Sequence, residues 1–183
     1  MIYVLVALES ELPRQFFYEN TARKYEIIYT GVGKVNAAIA ATSILANANH
    51  AKIINYGTAG TLVPEHAGKL LKVGTIYQRD MDGRPQAPLG STPFEDGDLN
   101  AEIVVSNSNI TLSTGDNFVT STPELLTDLV DMEGYAIAKV CKRFKTEFTC
   151  IKYASDFADE NAATTWQENV TDGAAEFMIW MNN

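Results

Sequence analysis

The sequence predicts an α/β layer fold with a largely parallel central sheet, because short apolar, β-branched runs alternate with helix-like stretches. Two more observations agree. Hydrophobic residues make up 46% of the 183, enough to bury one good core without forcing a second domain. Polar residues capable of chemistry also fall just beyond the apolar runs, where sheets of this type gather their sites.

The first run, Ile2-Tyr3-Val4-Leu5-Val6-Ala7-Leu8, is expected as a buried strand over residues 3–8. No basic leader precedes it, Glu9 and Glu11 follow at once, and it is far too short to span a membrane. It therefore reads as neither a signal peptide nor an anchor. Next come a helix over 10–18, a strand over 25–29 and an Ala-rich helix over 34–48. In that helix Val35, Ala38, Ile39, Leu45 and Ala46 trace one apolar face, with Thr42 as its polar member. Strands follow at 52–56 and 75–78. The Gly-, Pro- and Asp-rich stretch 61–101 has little periodicity, and its 79–95 segment is expected as an ordered excursion rather than a linker. Strands at 102–106, 110–113, 129–132 and 148–154 and helices at 123–129, 134–144 and 162–181 complete the alternation. No repeat or low-complexity tract interrupts it, so residues 1–183 are expected as a single domain.

A net charge of −9 and a pI near 4.7 argue against a nucleic-acid partner, which would be recognised through clustered Lys and Arg. The expected partner is a small molecule, with no membrane involved and a cytoplasmic location. Cys141 and Cys150 lie inside apolar segments and are expected as reduced core thiols, with a disulfide between them left open. His50 and His66 have no ligand spacing with the cysteines, so no metal site is expected.

Four segments concentrate reactive or shape-specific residues at strand ends. They are Ala7-Leu8-Glu9-Ser10-Glu11, Ser113-Thr114-Gly115-Asp116-Asn117-Phe118-Val119, Val130-Asp131-Met132-Glu133-Gly134 and Ala154-Ser155-Asp156-Phe157-Ala158-Asp159. Singly, each has an ordinary explanation. An acid such as Glu11 suits a first helical turn behind a cap such as Ser10. Phe118 behind a Gly-containing turn suits a core aromatic, and Asp156 at a strand end suits a turn cap. Gly31-Val32-Gly33-Lys34 lacks the full spacing of either phosphate-binding glycine motif. Together and in this order, with Asn55-Tyr56-Gly57-Thr58-Ala59-Gly60 among them, the segments resemble the purine nucleosidase branch of the nucleoside phosphorylase superfamily. Within it they are most similar to the 5'-methylthioadenosine/S-adenosylhomocysteine nucleosidases.

The resemblance implies a three-layer sandwich around a twisted, mostly parallel, mixed sheet, no metal or organic cofactor, and a homodimer with pockets near the interface. It also implies roles. Glu11 would be the general base for a water attacking C1' of the ribose, with Thr58 hydrogen-bonding that water. Glu133 would accept from the ribose 2'- and 3'-hydroxyls and steady the positive charge developing at C1'. Met132 would pack on the sugar, Phe118 would stack on the purine, and the backbone of Val119 would bond the purine edge. Asp156, oriented by Ser155, would donate a proton toward N7 as the base leaves, which requires a protonated carboxyl. An Asp there, rather than an Asn, fits a base with a 6-amino group.

Two other functions stay open. Phosphorylases of the superfamily commonly place an Arg just before the Gly-Ser/Thr unit and another in an N-terminal loop. Here Asn55 and Tyr56 precede Gly57 and the N-terminal segment carries Glu11, which favours water, yet Arg14, Arg79 or Arg84 could supply an anion site. A nucleoside-binding module without turnover is the second, because the chain is shorter between several motifs than typical relatives, which would open a pocket to water. Residues 78–85 depart from the usual family sequence and leave the 5' substituent undecided.

Overall fold

Alternation along β1 (Ile2–Val6) divides the core in two. Val4 and Val6 turn toward α5 (Gly173–Asn182) and cluster with Ile54, Tyr56, Phe177 and Met178. Leu5 turns the opposite way, toward α2 (Lys34–Leu45) and α3 (Gly134–Phe144), with Ile53, Ala37, Ala41 and Ile137. A period of two along a strand buried on both faces produces three layers with the sheet in the middle. The computed structural model describes residues 1–18, 25–48, 50–95 and 101–182. The expected 61–101 excursion therefore includes residues 96–100, which lie outside the described residues.

Nine strands form the sheet among the described residues, in the order β2 (Tyr25–Tyr29), β1, β3 (Lys52–Thr61), β8 (Leu129–Asp131), β7 (Thr111–Thr114), β5 (Thr75–Gln78) and β6 (Ile103–Val104). β9 (Glu147–Phe157) pairs with β3 and with β4 (Leu70–Lys72). β9 runs parallel to the whole length of β3 and fills one of its edges. The other edge is shared: β1 pairs in parallel with Lys52–Asn55, and β8 pairs antiparallel with Gly60 and Thr61. The C-terminal ends of β1 and β8 therefore point at each other across residues 56–59 of β3. That gap in the pairing is where side chains from both strand ends converge, as expected of sheets in this class.

Several expected elements are altered by side chains that claim backbone groups. The helix expected over 10–18 shrinks to α1 (Gln15–Tyr18). Leu12 precedes Pro13 and is biased away from helical geometry, and residues 8–11 form a turn closed by Glu11 N–H on Leu8 O at 3.1 Å. Glu9 and Glu11 are accordingly turn residues rather than helix-start acids. No helix forms over 123–129. There Asp128 accepts from the N–H and hydroxyl of Thr111, both at 2.7 Å, and side-chain bonds of this kind compete with helix formation. The long helix expected over 162–181 is two, α4 (Ala162–Asn169) and α5, with Thr171 in the break donating to Ser10 O. On α2 the packed face is Ala37, Ala41 and Leu45, while Val35 and Ile39 stand 68% and 61% exposed. Small residues face the sheet because α2 also packs on α3, and the larger apolar side chains are left outward.

Candidate active site

A cavity of about 210 Å³ occupies the gap between the ends of β1 and β8. Its wall includes Glu11, Thr58, Phe118, Val119, Met132, Glu133 and Asp156, together with Val32, Arg79, Asn117 and Trp166. Seven of the eight residues expected at the site from sequence thus meet in one place. The eighth, Ser155, is buried outside the wall, with its hydroxyl on Asp156.

Glu11 is 4% exposed and surrounded by donors. Its Oε1 accepts from the Thr58 N–H at 2.8 Å and the Thr58 hydroxyl at 2.7 Å, and its Oε2 accepts from the Leu8 N–H at 3.0 Å. The Thr58 N–H is available because neither β1 nor β8 pairs with β3 at that residue. Gly57 makes the approach possible, since a Cβ there would sit 3.2 Å from Glu11 Oε1 and 3.4 Å from Lys152 Nζ.

Asp156 is as buried, at 5% exposed, but its setting is apolar. Among the described residues it has one donor, the Ser155 hydroxyl, 2.6 Å from Oδ1. Adjacent side chains on a regular strand point to opposite faces. Here Ala154 pairs with Ala59 and Asp156 with Gly60, so Ser155 is the extra residue of a β-bulge, which lets the two neighbours meet. Burial pushes the Asp156 carboxyl up to about 6, helped by the Asp159 charge and opposed by the Ser155 hydrogen bond.

Glu133 follows β8 at the start of α3. Its Oε1 accepts from the N–H of Gly33 at 2.8 Å, and the left-handed φ of 94° at that turn favours glycine. Burial and the nearby Asp131 charge raise Glu133 to about 7, with Lys152 and the Gly33 N–H opposing. Asp131 is satisfied beneath the cavity. It accepts from Lys152 Nζ and from the Gly134 N–H, both at 2.8 Å, and from the Thr114 hydroxyl. Burial opposes charge on Asp131, but the Lys152 ammonium and these bonds hold its carboxyl below the ordinary range.

The loop carrying Phe118 is tied down from two sides. Arg79, a possible anion-site residue by sequence, is 7% exposed. Its Nη1 donates to Ser113 O and Asp131 O and its Nη2 to Asn117 O, each at 2.7 Å, with Gly115 O at 3.2 Å. Lys34 pairs with Asp80 at 2.6 Å, and Asp80 accepts from the Asp116 N–H at 2.9 Å. Phe118 is 44% exposed and presents its ring at the cavity. Among the described residues none accepts from the Val119 N–H.

Among the described residues Arg79 is the one guanidinium on the cavity wall, and both its terminal nitrogens are spent on carbonyls. Arg84 is engaged by Asp82 and Glu124, and Arg14 by Glu9 with its cation over the Tyr29 ring. Tyr56, at the position where phosphorylases carry an Arg, is stacked on Phe177 in the core with ring centroids 4.1 Å apart. Two contributors were not legible in advance as site residues: Lys152 and Trp166, whose Nε1–H donates to Thr58 Oγ1 at 2.9 Å. Lys152 alone left a signal, a charge in the middle of an apolar strand.

The layers, the mixed sheet and a cavity between two converging strand ends define a three-layer α/β protein with its candidate site at strand ends. The family model of the phosphorylase superfamily matches residues 11–179, and the chain belongs to that superfamily. It is 30% identical to a 5'-methylthioadenosine/S-adenosylhomocysteine nucleosidase of Staphylococcus haemolyticus, over 86% of this chain and 80% of the relative. An aminodeoxyfutalosine nucleosidase of Helicobacter pylori is 29% identical, over 87% and 80%. Among solved structures, a 5'-methylthioadenosine/S-adenosylhomocysteine nucleosidase of Colwellia psychrerythraea in complex with adenine superposes with a TM-score of 0.81 at 21% identity, covering 97% of this chain and 92% of that one. The corresponding H. pylori nucleosidase gives a TM-score of 0.82 at 24% identity, covering 97% of both chains.

Proposed function

We propose that the protein hydrolyses the N-glycosidic bond of adenine nucleosides of the 5'-methylthioadenosine/S-adenosylhomocysteine type, releasing adenine and the free ribosyl moiety. The observation that carries this reading is the meeting of Glu11 and Asp156 on one cavity, one among donors and the other in an apolar setting. Glu11 takes a proton from water as the water oxygen bonds to C1'. Asp156, held by Ser155, gives its proton to N7 as the C1'–N9 bond breaks, and the electron pair stays with the base. Glu133 receives the ribose hydroxyls and stabilises the cationic sugar, as carboxylates do in glycoside hydrolysis. Met132 packs on the sugar, Phe118 stacks on adenine, and the Val119 N–H, without an acceptor among the described residues, meets the purine edge. The engagement of Arg14, Arg79 and Arg84 supports water over phosphate as the nucleophile.

Residues 1–183 act on this reading as one nucleosidase domain. The outward Val35 and Ile39 of α2, close to the cavity residue Val32, support a homodimer, and two buried free thiols suit the reducing cytoplasm. Among the described residues no helix is long and apolar enough to cross a membrane. The test is adenine release from 5'-modified adenosines with and without phosphate. Equal rates and the free 5-substituted ribose are expected; dependence on phosphate with the corresponding 5-substituted ribose 1-phosphate as product would instead establish a phosphorylase.

A further inference from the structure

We infer that Trp166 is a positioning residue for the base, acting through Thr58 to leave one open proton-accepting site on Glu11. The inference rests on the nucleosidase reading. An indole N–H only donates, and a threonine hydroxyl has one proton. With Trp166 Nε1–H directed at Thr58 Oγ1 from 2.9 Å, that hydroxyl is left to donate to Glu11 Oε1, 2.7 Å away. The chain of bonds therefore runs in a single direction, from Trp166 to Thr58 to Glu11.

Its consequence lies in the lone pairs. A carboxylate offers about four acceptor sites, two on each oxygen. Among the described residues, Oε1 receives both the N–H and the hydroxyl of Thr58, and Oε2 receives the Leu8 N–H alone. The remaining site on Oε2 is where a water can hand over its proton. Without the indole donor, the Thr58 hydroxyl is free to rotate away from Oε1. A second site then opens on Glu11, and the water divides between two positions with one of them misaligned.

Trp166 comes from α4, more than a hundred residues after Thr58, and also forms part of the cavity wall. Trp166→Phe keeps an aromatic wall and removes only the donor. It is expected to lower kcat about tenfold and to leave KM within about twofold, the scale of one lost neutral hydrogen bond that acts on the chemical step. Thr58→Val removes the acceptor, and adding Trp166→Phe to it should cost nothing further. Multiplying effects, or a change confined to KM, would overturn the inference.

A second measurement does not need turnover. The chain has two tryptophans, Trp166 and Trp180, so a nitrogen-15 correlation spectrum contains two indole N–H signals. The one lost in Trp166→Phe should exchange slowly with water in the unaltered protein and move in Thr58→Val, while that of Trp180 stays in place. A Trp166 signal indifferent to Thr58→Val would refute the relay even in an active enzyme. A shifted signal in a protein that releases no adenine would uphold the relay and count against the nucleosidase reading alone.

Discussion

Glu11 and Asp156 line the same cavity and are almost equally buried, at 4% and 5% exposed, yet their surroundings differ in kind. Glu11 lies in the gap between β1 and β8, where β3 has unpaired backbone, and receives three hydrogen bonds from two residues. Asp156 lies on the bulge of β9, where neighbouring backbone is already paired, and receives one. Burial alone therefore does not assign a role to an acid. The local supply of donors does, and it is set by where strands stop pairing. On the proposed reading, this contrast in surroundings is what separates the proton donor from the proton acceptor.

The largest effect should come from removing either acid, and the order of the two is informative. Glu11→Gln keeps the shape and removes the base, with an expected loss of about 10⁴-fold in turnover. Asp156→Asn, which retains a polar N–H near the leaving base, should lose about 10²–10³-fold. Steady-state adenine release measures both. If the order reverses, leaving-group protonation dominates the barrier and the contrast has been assigned the wrong weights.

The pH profile tests the contrast without mutation. Asp156 must carry its proton, a form present below about 6, and Glu133 must be ionised, a form present above about 7. The plot of kcat/KM against pH should therefore be a bell centred between these values, and Asp156→Asn should lack the alkaline limb. A flat profile from pH 5 to 9 would break the assignment.

Phe118 serves neither acid, so it separates binding from chemistry. Phe118→Ala removes a stacking surface of about 1–3 kcal/mol, which raises KM about 5- to 150-fold and leaves kcat within a fewfold. A loss confined to kcat would mean that the ring shields the reacting atoms rather than holding the base.

The smallest effect concerns stability. Glu133 is raised to about 7 in the fold, against an ordinary 4.5 when unfolded. Between those values the native chain binds more protons, so stability is lost as pH rises through the interval and stays lower above it. Glu133→Gln should consequently raise the melting temperature at pH 8 by about 2–4 °C for each kcal/mol recovered, and much less at pH 5. A lower melting temperature at pH 8 would mean that the Gly33 N–H bond outweighs burial and the Asp131 charge.

Much of this was legible in the residues. β1, β2, β5 and α3 carry local patterns strong enough to place, and β1 and α3 bring Glu11 and Glu133 to the cavity. The helix expected over 123–129 fails for a reason no periodicity contains, because Asp128 is bonded to Thr111 on another strand. The apolar face of α2 was drawn through Val35 and Ile39, although its packing on α3 selects Ala37 and Ala41. Trp166 gave no warning at all, since its hydrogen bond reaches a residue brought near only by folding.

Residue identity by itself determined that two acids, a threonine, an aromatic and a second Glu stand at strand ends of an α/β chain, because strand period and side-chain chemistry are local properties. Only the tertiary structure decided which acid is surrounded by donors, which is held protonated to about 6, and that Lys152 neutralises Asp131 beneath them. Those outcomes depend on burial and on distances of a few ångströms between segments far apart in order, and electrostatic energy in a poorly screened interior changes steeply over such distances.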